Sequence, residues 1–373
     1  MDGHSLPSVE ILKCALPKLQ KPILFRNMLR NFDGSYEWKL LNWSFSDLVE
    51  KFEDKQLPFR VGDYNKCMYT LQHHRRRISP PTKLCKLTLR EFFIATGDTT
   101  KEGYDKWLYC DYKHMKEFSD KPEIIESFNW LKFGVDKEFG ENGLYSTIWI
   151  GSKGAHTDCH WDTYGYNLVA QIHGRKLWLL YPPSDSLIPV RLPYEESTVY
   201  SKIDIYCLSM EERDLLLKIP DKPKLIILEP GDVLFVPNGW WHYVESLDNI
   251  TIEYVVTECI KEEEKEKNEK TELPQETPSK KFKPTIWTAE DLAEQYPNYI
   301  EVLHDAEEHE FKEFIEERLK RNKEKYSLDE KIASEDDISN PNHYDSCLES
   351  VINALCHPDV ISKAAQVLLE RHY

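Results

Sequence analysis

From residue 144 to residue 257 the chain consists of short apolar runs separated by turn residues. Pro182-Pro183 and Glu229-Pro230-Gly231-Asp232 are the clearest of these turns. Most of the runs have no helix between them, which favours an antiparallel β-sandwich or barrel. The predicted strands are residues 144–151, 167–173, 176–181, 224–228, 233–236 and 250–257.

The first 110 residues mix helical spacing with short extended runs. Ser44 is placed as the N-cap of an amphipathic helix. Thr88 and Glu91 have the spacing of a capping box that opens a second helix. We therefore predict that residues 1–110 form an α/β region supporting a β-rich core at residues 111–260.

The remainder of the chain changes twice in its composition and hydrophobic spacing. Residues 261–284 combine high charge with few apolar side chains, which predicts a disordered linker. Helical spacing then returns in residues 287–320 and 346–373, so residues 285–373 are predicted to form a C-terminal helical region. These helices are expected to pack on the core or to bind a partner, and a homodimer formed through them is an open alternative.

Charge is distributed unevenly along the chain. The net charge is −17, of which −5 falls in residues 1–260 and −12 in residues 261–373. Because phosphate neutralisation supplies most of the affinity of a general nucleic-acid binder, this acidic balance argues against nucleic acid as a partner. The run His73-His74-Arg75-Arg76-Arg77 is a local basic patch, and such runs are usually solvated surface.

Membrane and secretion signals are missing from the sequence. No run of about 18 apolar residues occurs, and the N-terminus has no basic-then-apolar leader. Nine cysteines are scattered without a CxxC pair, a pattern typical of a reducing compartment rather than of a zinc site or disulfide framework. We expect a soluble cytoplasmic protein without a membrane partner, and nuclear presence stays open.

The chemistry-bearing residues lie within the β-rich part. His160 and Asp162 are two positions apart on a predicted strand, so their side chains point the same way. His242 follows 82 residues after His160, behind a Pro-Asn-Gly turn and the pair Trp240-Trp241. Two histidines and one carboxylate form the facial set of non-haem iron(II) oxygenases. Zinc accepts the same ligands, so the triad alone does not choose the metal.

Two other histidines compete for this assignment. On an unbroken strand His156 would share a face with His160 and Asp162, so spacing alone does not exclude it as a ligand. His173 precedes the turn at Gly174 and is expected at the surface. An HxD spacing by itself is more often a structural hydrogen-bonded pair, and the aromatic residues before His242 favour the metal interpretation.

Residues 144–257 resemble the JmjC branch of the cupin-fold 2-oxoglutarate oxygenases, and the similarity extends over about residues 20–260. The resemblance implies a mainly β fold with added helices, namely a double-stranded β-helix (jelly-roll) core with N-terminal α/β elements and C-terminal helices. The motifs that carry it are His160 and Asp162, the stretch from Asn167 to Trp178, Tyr181-Pro182-Pro183, and the stretch from Pro230 to Pro237 leading to Trp240-Trp241-His242.

The resemblance also implies the ligands and their contacts. Fe(II) would be held by His160, Asp162 and His242, with 2-oxoglutarate as cosubstrate and O2 as oxidant. Lys176 would meet the distal carboxylate of 2-oxoglutarate, because a cation suits a carboxylate held away from water.

Three further residues and one departure complete the implied pocket. Thr157 would be a hydrogen-bonding neighbour of the cosubstrate, Asn167 would line the pocket, and Tyr109 would contact the cosubstrate from an earlier strand. The last core strand carries Glu253 where related enzymes often have asparagine.

Within this branch the chain is most similar to a group that includes an asparaginyl hydroxylase and an associate of a small heat-shock protein. That similarity implies hydroxylation of a protein side chain, with release of succinate and CO2. Hydroxylation is favoured over demethylation because no chromatin-reader signature accompanies the core.

Two alternatives stay open. In the first, the chain is an adaptor with little or no catalysis that binds a protein such as a small heat-shock protein. Removal of residues 261–373 would then abolish partner binding and leave the metal site intact. In the second, the chain hydroxylates a modified RNA base, which only the basic run at Arg75–Arg77 supports.

Overall fold

The computed structural model describes residues 6–63, 83–97, 106–118, 121–191, 195–258 and 287–332. Three of the sequence-based predictions lie outside these described residues. They concern the basic run at residues 73–77, the charged linker at 261–284 and the helical pattern at 346–373.

Two predicted helix starts are confirmed by their caps. The side chains of Ser44 and Asp47 bond reciprocally to each other's backbone N–H groups, and Thr88 and Glu91 do the same. The helices are α1 Val9–Ala15, α2 Phe45–Phe52, α3 Leu89–Gly97, α4 Met115–Phe118, α5 Pro122–Ile125, α6 Lys137–Gly140, α7 Met210–Leu216, α8 Ala289–Gln295 and α9 Glu308–Ile332. Single 3-10 turns occur at Leu16–Lys18, Lys39–Asn42, Leu131–Phe133 and Gly143–Tyr145.

Strands account for most of the core. They are β1 Ile23–Phe25, β2 Leu57–Asp63, β3 Lys83–Leu87, β4 Lys106–His114, β5 Thr147–Gly151, β6 His156–Asp162, β7 Tyr166–His173, β8 Lys176–Tyr181, β9 Pro189–Val190, β10 Thr198–Ser201, β11 Lys224–Leu228, β12 Val233–Val236, β13 Trp241–Ser246, β14 Thr251–Glu258 and β15 Ile300–Val302. Five of the six predicted strands are confirmed to within one residue. The run at residues 144–151 begins instead as a 3-10 turn, because Asn142 Oδ1 accepts a hydrogen bond from the Leu144 N–H.

The strands form two antiparallel sheets. The nine-stranded sheet has the order β15-β1-β12-β7-β14-β5-β4-β2-β3, and the six-stranded sheet has the order β11-β8-β13-β6-β10-β9. Along the chain, β5 and β7 of the first sheet alternate with β6 and β8 of the second, and after β9 to β11 of the second sheet β12 and β14 lie on either side of β13 in sequence. This interleaving is the double-stranded β-helix, so the expected fold class is confirmed.

Alternate residues of each strand point to opposite faces, and the apolar clusters follow that alternation. Between the sheets lies a small cluster that includes Leu24, Val169, Trp178 and Leu234. The outer face of the nine-stranded sheet packs against the N-terminal helices in a larger cluster. The outer face of the six-stranded sheet is covered by α9 and by the segment around α7. The N-terminal elements therefore brace one sheet, and α9 braces the sheet that carries the candidate site.

The C-terminal region contributes a strand as well as helices. β15 pairs with β1 at the edge of the nine-stranded sheet and buries Ile300. The continuous helical pattern predicted for residues 287–320 is therefore wrong in its middle. Pro297 follows the end of α8, where a helix cannot easily continue, and the free edge of β1 provides backbone partners instead.

α9 is held to the six-stranded sheet by a buried ionic contact. Glu245 of β13 accepts hydrogen bonds from Arg318 at 2.5 Å and from Arg321 at 2.8 Å. Removal of residues 261–373 would leave this carboxylate without its two arginine partners and would expose the apolar face beneath α9. We therefore expect such a truncation to destabilise the sheet that carries the candidate site, contrary to the expectation of an unaffected site.

Two further features bear on the environment of the chain. No helix in the described ranges is long and apolar enough to cross a membrane. Cys14, Cys110 and Cys159 are free thiols. The division of the chain into four segments stays a prediction.

Candidate metal centre

His160, Asp162 and His242 converge on the inner face of the six-stranded sheet. His160 of β6 lies directly opposite His242 of β13, so their side chains share a face. One ligand atom from each of the three residues lies within 4.8 Å of the other two. The triad expected from sequence is thus brought together by the pairing of two neighbouring strands.

The backbone orients both imidazole rings. Nδ1 of His160 lies 2.7 Å from the carbonyl oxygen of Asp158, and Nδ1 of His242 lies 3.0 Å from that of Trp240. A carbonyl only accepts, so each Nδ1 carries a proton, and in a neutral ring Nε2 is then the atom with the lone pair. The two Nε2 atoms each lie 3.8 Å from a different carboxylate oxygen of Asp162. Two nitrogens and one carboxylate therefore face a common point.

His242 is held in its neutral form. It is buried and lies against the indole of Trp178, with the ring centroids 5.7 Å apart. Burial, followed by the neighbouring His160, lowers the pKa of His242 to about 4. Its imidazole is therefore unprotonated near neutral pH, as metal ligation requires.

A β-bulge in β6 decides which residues share the face of the triad. His242 pairs with His160, but Val244, two residues further on, pairs with Thr157, three residues back. The extra residue in β6 reverses the side to which the preceding residues point. Thr157 therefore lies on the face of His160, and His156 lies on the other.

His156 takes no part in the candidate ligand set. Its ring stacks on Tyr206 with centroids 3.9 Å apart, and its Nδ1 lies 2.9 Å from the carbonyl oxygen of Gly154. Burial lowers the pKa of His156, so the ring is a neutral part of the packing. The ambiguity left by sequence spacing is resolved by the bulge.

His173 is not the surface residue expected from sequence. It is half-buried, and its ring packs against Phe45 with centroids 5.7 Å apart. The reason is a second register shift, in which Ile252 pairs with His173 and Glu253 with Gln171. His173 lies outside the group that could hold a metal.

Asn167 contacts the carboxylate of the triad. Its Nδ2 donates to Asp162 Oδ2 at 2.5 Å, and its Oδ1 accepts from the hydroxyl of Thr257 at 2.6 Å. This pair of contacts fixes the amide and leaves Asp162 Oδ1 for other partners. Such outer contacts orient metal ligands and raise metal affinity. The position predicted to line the pocket thus also supports the triad.

The three residues expected to contact the cosubstrate lie close together. The hydroxyl of Tyr109 is 3.1 Å from Oγ1 of Thr157. Nζ of Lys176 is 5.2 Å from the centre of the Tyr109 ring. Burial raises the pKa of Tyr109 well above its usual value, so the phenol is a neutral hydrogen-bond donor. One cation and two hydroxyls on facing sheets suit a carboxylate ligand.

Lys176 already has a carboxylate partner within the chain. Its Nζ lies 2.6 Å from Oε1 of Glu253, and the two side chains are 0% and 3% exposed. Burial lowers the pKa of Lys176 and raises that of Glu253, and each charge partly offsets this effect on the other. The position that departs from the related enzymes is thus in direct contact with the expected cosubstrate residue.

Sequence reasoning missed two neighbours of the site. Trp178 lies two residues after Lys176 on β8 and so shares its face. Period-two spacing could therefore have placed it beside the triad. Arg60 of β2 lies over the ring of Tyr109, 5.5 Å from its centre, and is paired with Asp111 at 2.8 Å. No motif marks Arg60, and only the pairing of β2 with β4 brings it there.

Two imidazoles and a carboxylate supported by an amide form a donor set that fits iron(II) and also zinc. Lys176, Thr157 and Tyr109 fit the distal carboxylate of 2-oxoglutarate, and Glu253 is the one group among these neighbours that adds a negative charge.

Comparison with known proteins identifies the type of domain. A family model described as a cupin-like domain matches residues 13–256. A cattle protein named HSPB1-associated protein 1 is 39% identical over 254 residues, which is 65% of this chain and 48% of that protein. The human protein of the same name is 38% identical over 254 residues, covering 65% of this chain and 49% of that protein.

Oxygenases occur among the more distant relatives. A zebrafish protein named 2-oxoglutarate and iron-dependent oxygenase JMJD4 is 33% identical over 180 residues, which is 45% of this chain and 41% of that protein. The chain spans about half the length of the curated relatives it matches.

Proposed function

We propose that this chain, which belongs to the cupin-like domain family, is an iron(II)- and 2-oxoglutarate-dependent oxygenase. The observation that carries the proposal is the convergence of His160, Asp162 and His242 within 4.8 Å on the inner face of the β-helix. Zinc accepts these ligands too, so the choice of iron rests on the neighbouring carboxylate pocket and on the oxygenase relative.

The residues would divide the work as follows. When bound, iron(II) supplies the oxidation of a C–H bond by O2, coupled to conversion of 2-oxoglutarate into succinate and CO2. Asn167 holds the carboxylate of Asp162, and Lys176 with Thr157 receives the distal carboxylate of the cosubstrate. Trp178 shields His242 from water on the inner face. Ligation, orientation and exclusion of water are the protein's contribution.

The substrate we propose is a protein side chain, hydroxylated rather than demethylated. The cattle and human relatives are named as associates of HSPB1, so a small heat-shock protein is the first partner to test. A cytoplasmic location fits such a partner and stays a prediction. Homodimerisation also stays a prediction.

A second function is an adaptor with little or no catalysis. The name of the relatives and the internal pairing of Lys176 with Glu253 favour it. An adaptor would bind its partner equally well after loss of the metal ligands. Hydroxylation of an RNA base has no further support, because residues 75–77 lie outside the described part of the chain.

Succinate formation separates the first two functions. Purified protein would be incubated with iron(II), 2-oxoglutarate, ascorbate and O2, with and without the small heat-shock protein, beside Asp162→Ala. We expect succinate formation and a gain of oxygen by the partner, both lost in Asp162→Ala. Undiminished partner binding without succinate formation by the wild-type protein would favour the adaptor.

A further inference from the structure

Lys176 and Glu253 form a buried pair between the two sheets. Lys176 comes from β8 of the six-stranded sheet and Glu253 from β14 of the nine-stranded sheet. Neither side chain is more than 3% exposed. The pair therefore lies within the β-helix, where an unbalanced charge is costly.

Among the described residues, the surroundings of the pair offer no cation without a carboxylate partner of its own. The side chains on neighbouring strands are Tyr109 and Asp111 of β4, Trp149 of β5, Gln171 of β7 and Ser246 of β13. Asp111, which acts on Lys176 electrostatically, is itself paired with Arg60. The lysine thus faces one carboxylate in the free protein and would face two after 2-oxoglutarate binds.

The two carboxylate oxygens of Glu253 differ in their hydrogen bonding. Oε1 accepts from Lys176, whereas Oε2 is buried without a hydrogen-bond partner among the described residues. A buried polar atom in that state is uncommon in folded proteins and is expensive to maintain. Such an atom, beside a cation and two hydroxyls, marks a place for a ligand's polar group.

We propose that Glu253 takes up one proton when 2-oxoglutarate binds and then donates a hydrogen bond from its carboxyl group to the distal carboxylate of the cosubstrate. This inference rests on the proposed function and adds to it a cosubstrate-binding residue. Lys176 balances the charge of the ligand carboxylate, and Glu253 in its neutral form no longer competes for that charge.

Two carboxylates beside one buried lysine cannot both stay ionised at low cost. The bound state with one proton added has the same net charge as the free pair, so no unbalanced charge is buried. Burial already raises the pKa of Glu253, which favours proton uptake by this carboxyl group. Tyr109 stays protonated and neutral throughout.

The affinity for 2-oxoglutarate should fall as the pH rises, because binding is coupled to the uptake of a proton. Where Glu253 is ionised in the free protein and protonated in the complex, binding weakens about tenfold for each unit of rising pH. Below the pKa of free Glu253 no proton is taken up and affinity levels off. A glutamine at this position carries the hydrogen-bond donor permanently, so its affinity should not follow this slope.

The test is anaerobic calorimetry of 2-oxoglutarate binding to the full chain loaded with excess Mn(II), between pH 6 and pH 9. Titrations in buffers of different ionisation enthalpy count the protons taken up. We expect an uptake that approaches one proton at the alkaline end for the wild-type protein and none for Glu253→Gln. Asp111→Asn, which removes the neighbouring carboxylate, should retain the uptake.

Glu253→Gln should also bind 2-oxoglutarate at least ten times more tightly than the wild-type protein at the alkaline end of the range. Binding by the wild-type protein without proton uptake at any pH would overturn this inference and leave the proposed oxygenase in place. No binding by either metal-loaded protein would overturn both. The wild-type titration alone decides the matter if Glu253→Gln does not fold.

Discussion

The carboxylate of Glu245 and the guanidinium of Arg318 form an ion pair in which neither side chain is more than 4% exposed. Glu245 belongs to β13, three residues after His242, and Arg318 belongs to α9. The contact ties α9 to the strand that carries a candidate metal ligand. Removing Arg318 would leave the buried carboxylate with fewer partners in the interior.

Arg318→Met tests how much this contact contributes to the free energy of unfolding. We expect the free energy of unfolding to fall by about 1.5–3 kcal/mol, the range for loss of a hydrogen bond to a charged group, because Arg321 and the Tyr243 hydroxyl still contact Glu245. Denaturant titration measures the change. Lys312→Met serves as the control, since the pair of Lys312 with Glu308 is exposed and its loss should leave the stability close to that of the wild type. Equal stability of the two variants would contradict the assignment.

The same carboxylate predicts a pH dependence of stability. Burial raises the pKa of Glu245, but Arg318 and Arg321 outweigh that effect, so the pKa in the folded protein is below the ordinary value. A depressed pKa stabilises the fold above the unfolded pKa, and this contribution is lost as pH falls through the folded pKa. The stability difference between wild type and Glu245→Gln should therefore shrink on acidification below about pH 5. A difference that is constant from pH 7 to pH 3 would contradict it.

Asn167→Leu tests the support of the carboxylate ligand. Loss of the contact to Asp162 should weaken Mn(II) binding by about 10- to 100-fold, the usual range for outer contacts of a metal site. Calorimetry with Mn(II) measures the affinity. Asn129→Leu, a half-buried asparagine outside the triad, is the matched control and should bind Mn(II) normally. Wild-type affinity in Asn167→Leu would exclude the supporting role.

Lys176 should matter for both stability and cosubstrate binding. Lys176→Met leaves Glu253 buried beside no cation of its own, so we expect a loss of about 3–5 kcal/mol in the free energy of unfolding. The double variant Lys176→Met/Glu253→Leu should recover most of that loss, because neither charge remains. Both variants should keep Mn(II) binding and lose 2-oxoglutarate binding. A single variant as stable as the double one would argue against a charged pair.

The strands and helix starts could be predicted because their signals are local. Short apolar runs bounded by turn residues located β8, β11 and β12 to the residue, and the N-cap Ser44 located the start of α2. His160 and Asp162 could be paired because side chains alternate along a strand. The turn and the aromatic pair before His242, together with the family resemblance, indicated the third ligand. These features depend on neighbouring residues in sequence, which is why one sequence suffices.

Features that depend on distant pairing could not be predicted. The bulge that separates His156 from Thr157 follows from the register of β6 against β13. β15 forms because β1 offers an edge about 275 residues earlier in the chain. Glu253 departs from the residue that related enzymes often have, but its contact with Lys176 depends on how the two sheets face each other.

We propose that His160, Asp162 and His242 hold a metal to which 2-oxoglutarate binds. The most direct test is anaerobic calorimetry of 2-oxoglutarate with the iron(II)- or Mn(II)-loaded protein, with His160→Ala and, as the histidine control, His173→Ala. We predict metal-dependent binding in the wild type and in His173→Ala, and none in His160→Ala. Binding that persists without metal or in His160→Ala, or no binding by folded, metal-loaded wild-type protein, would contradict the claim.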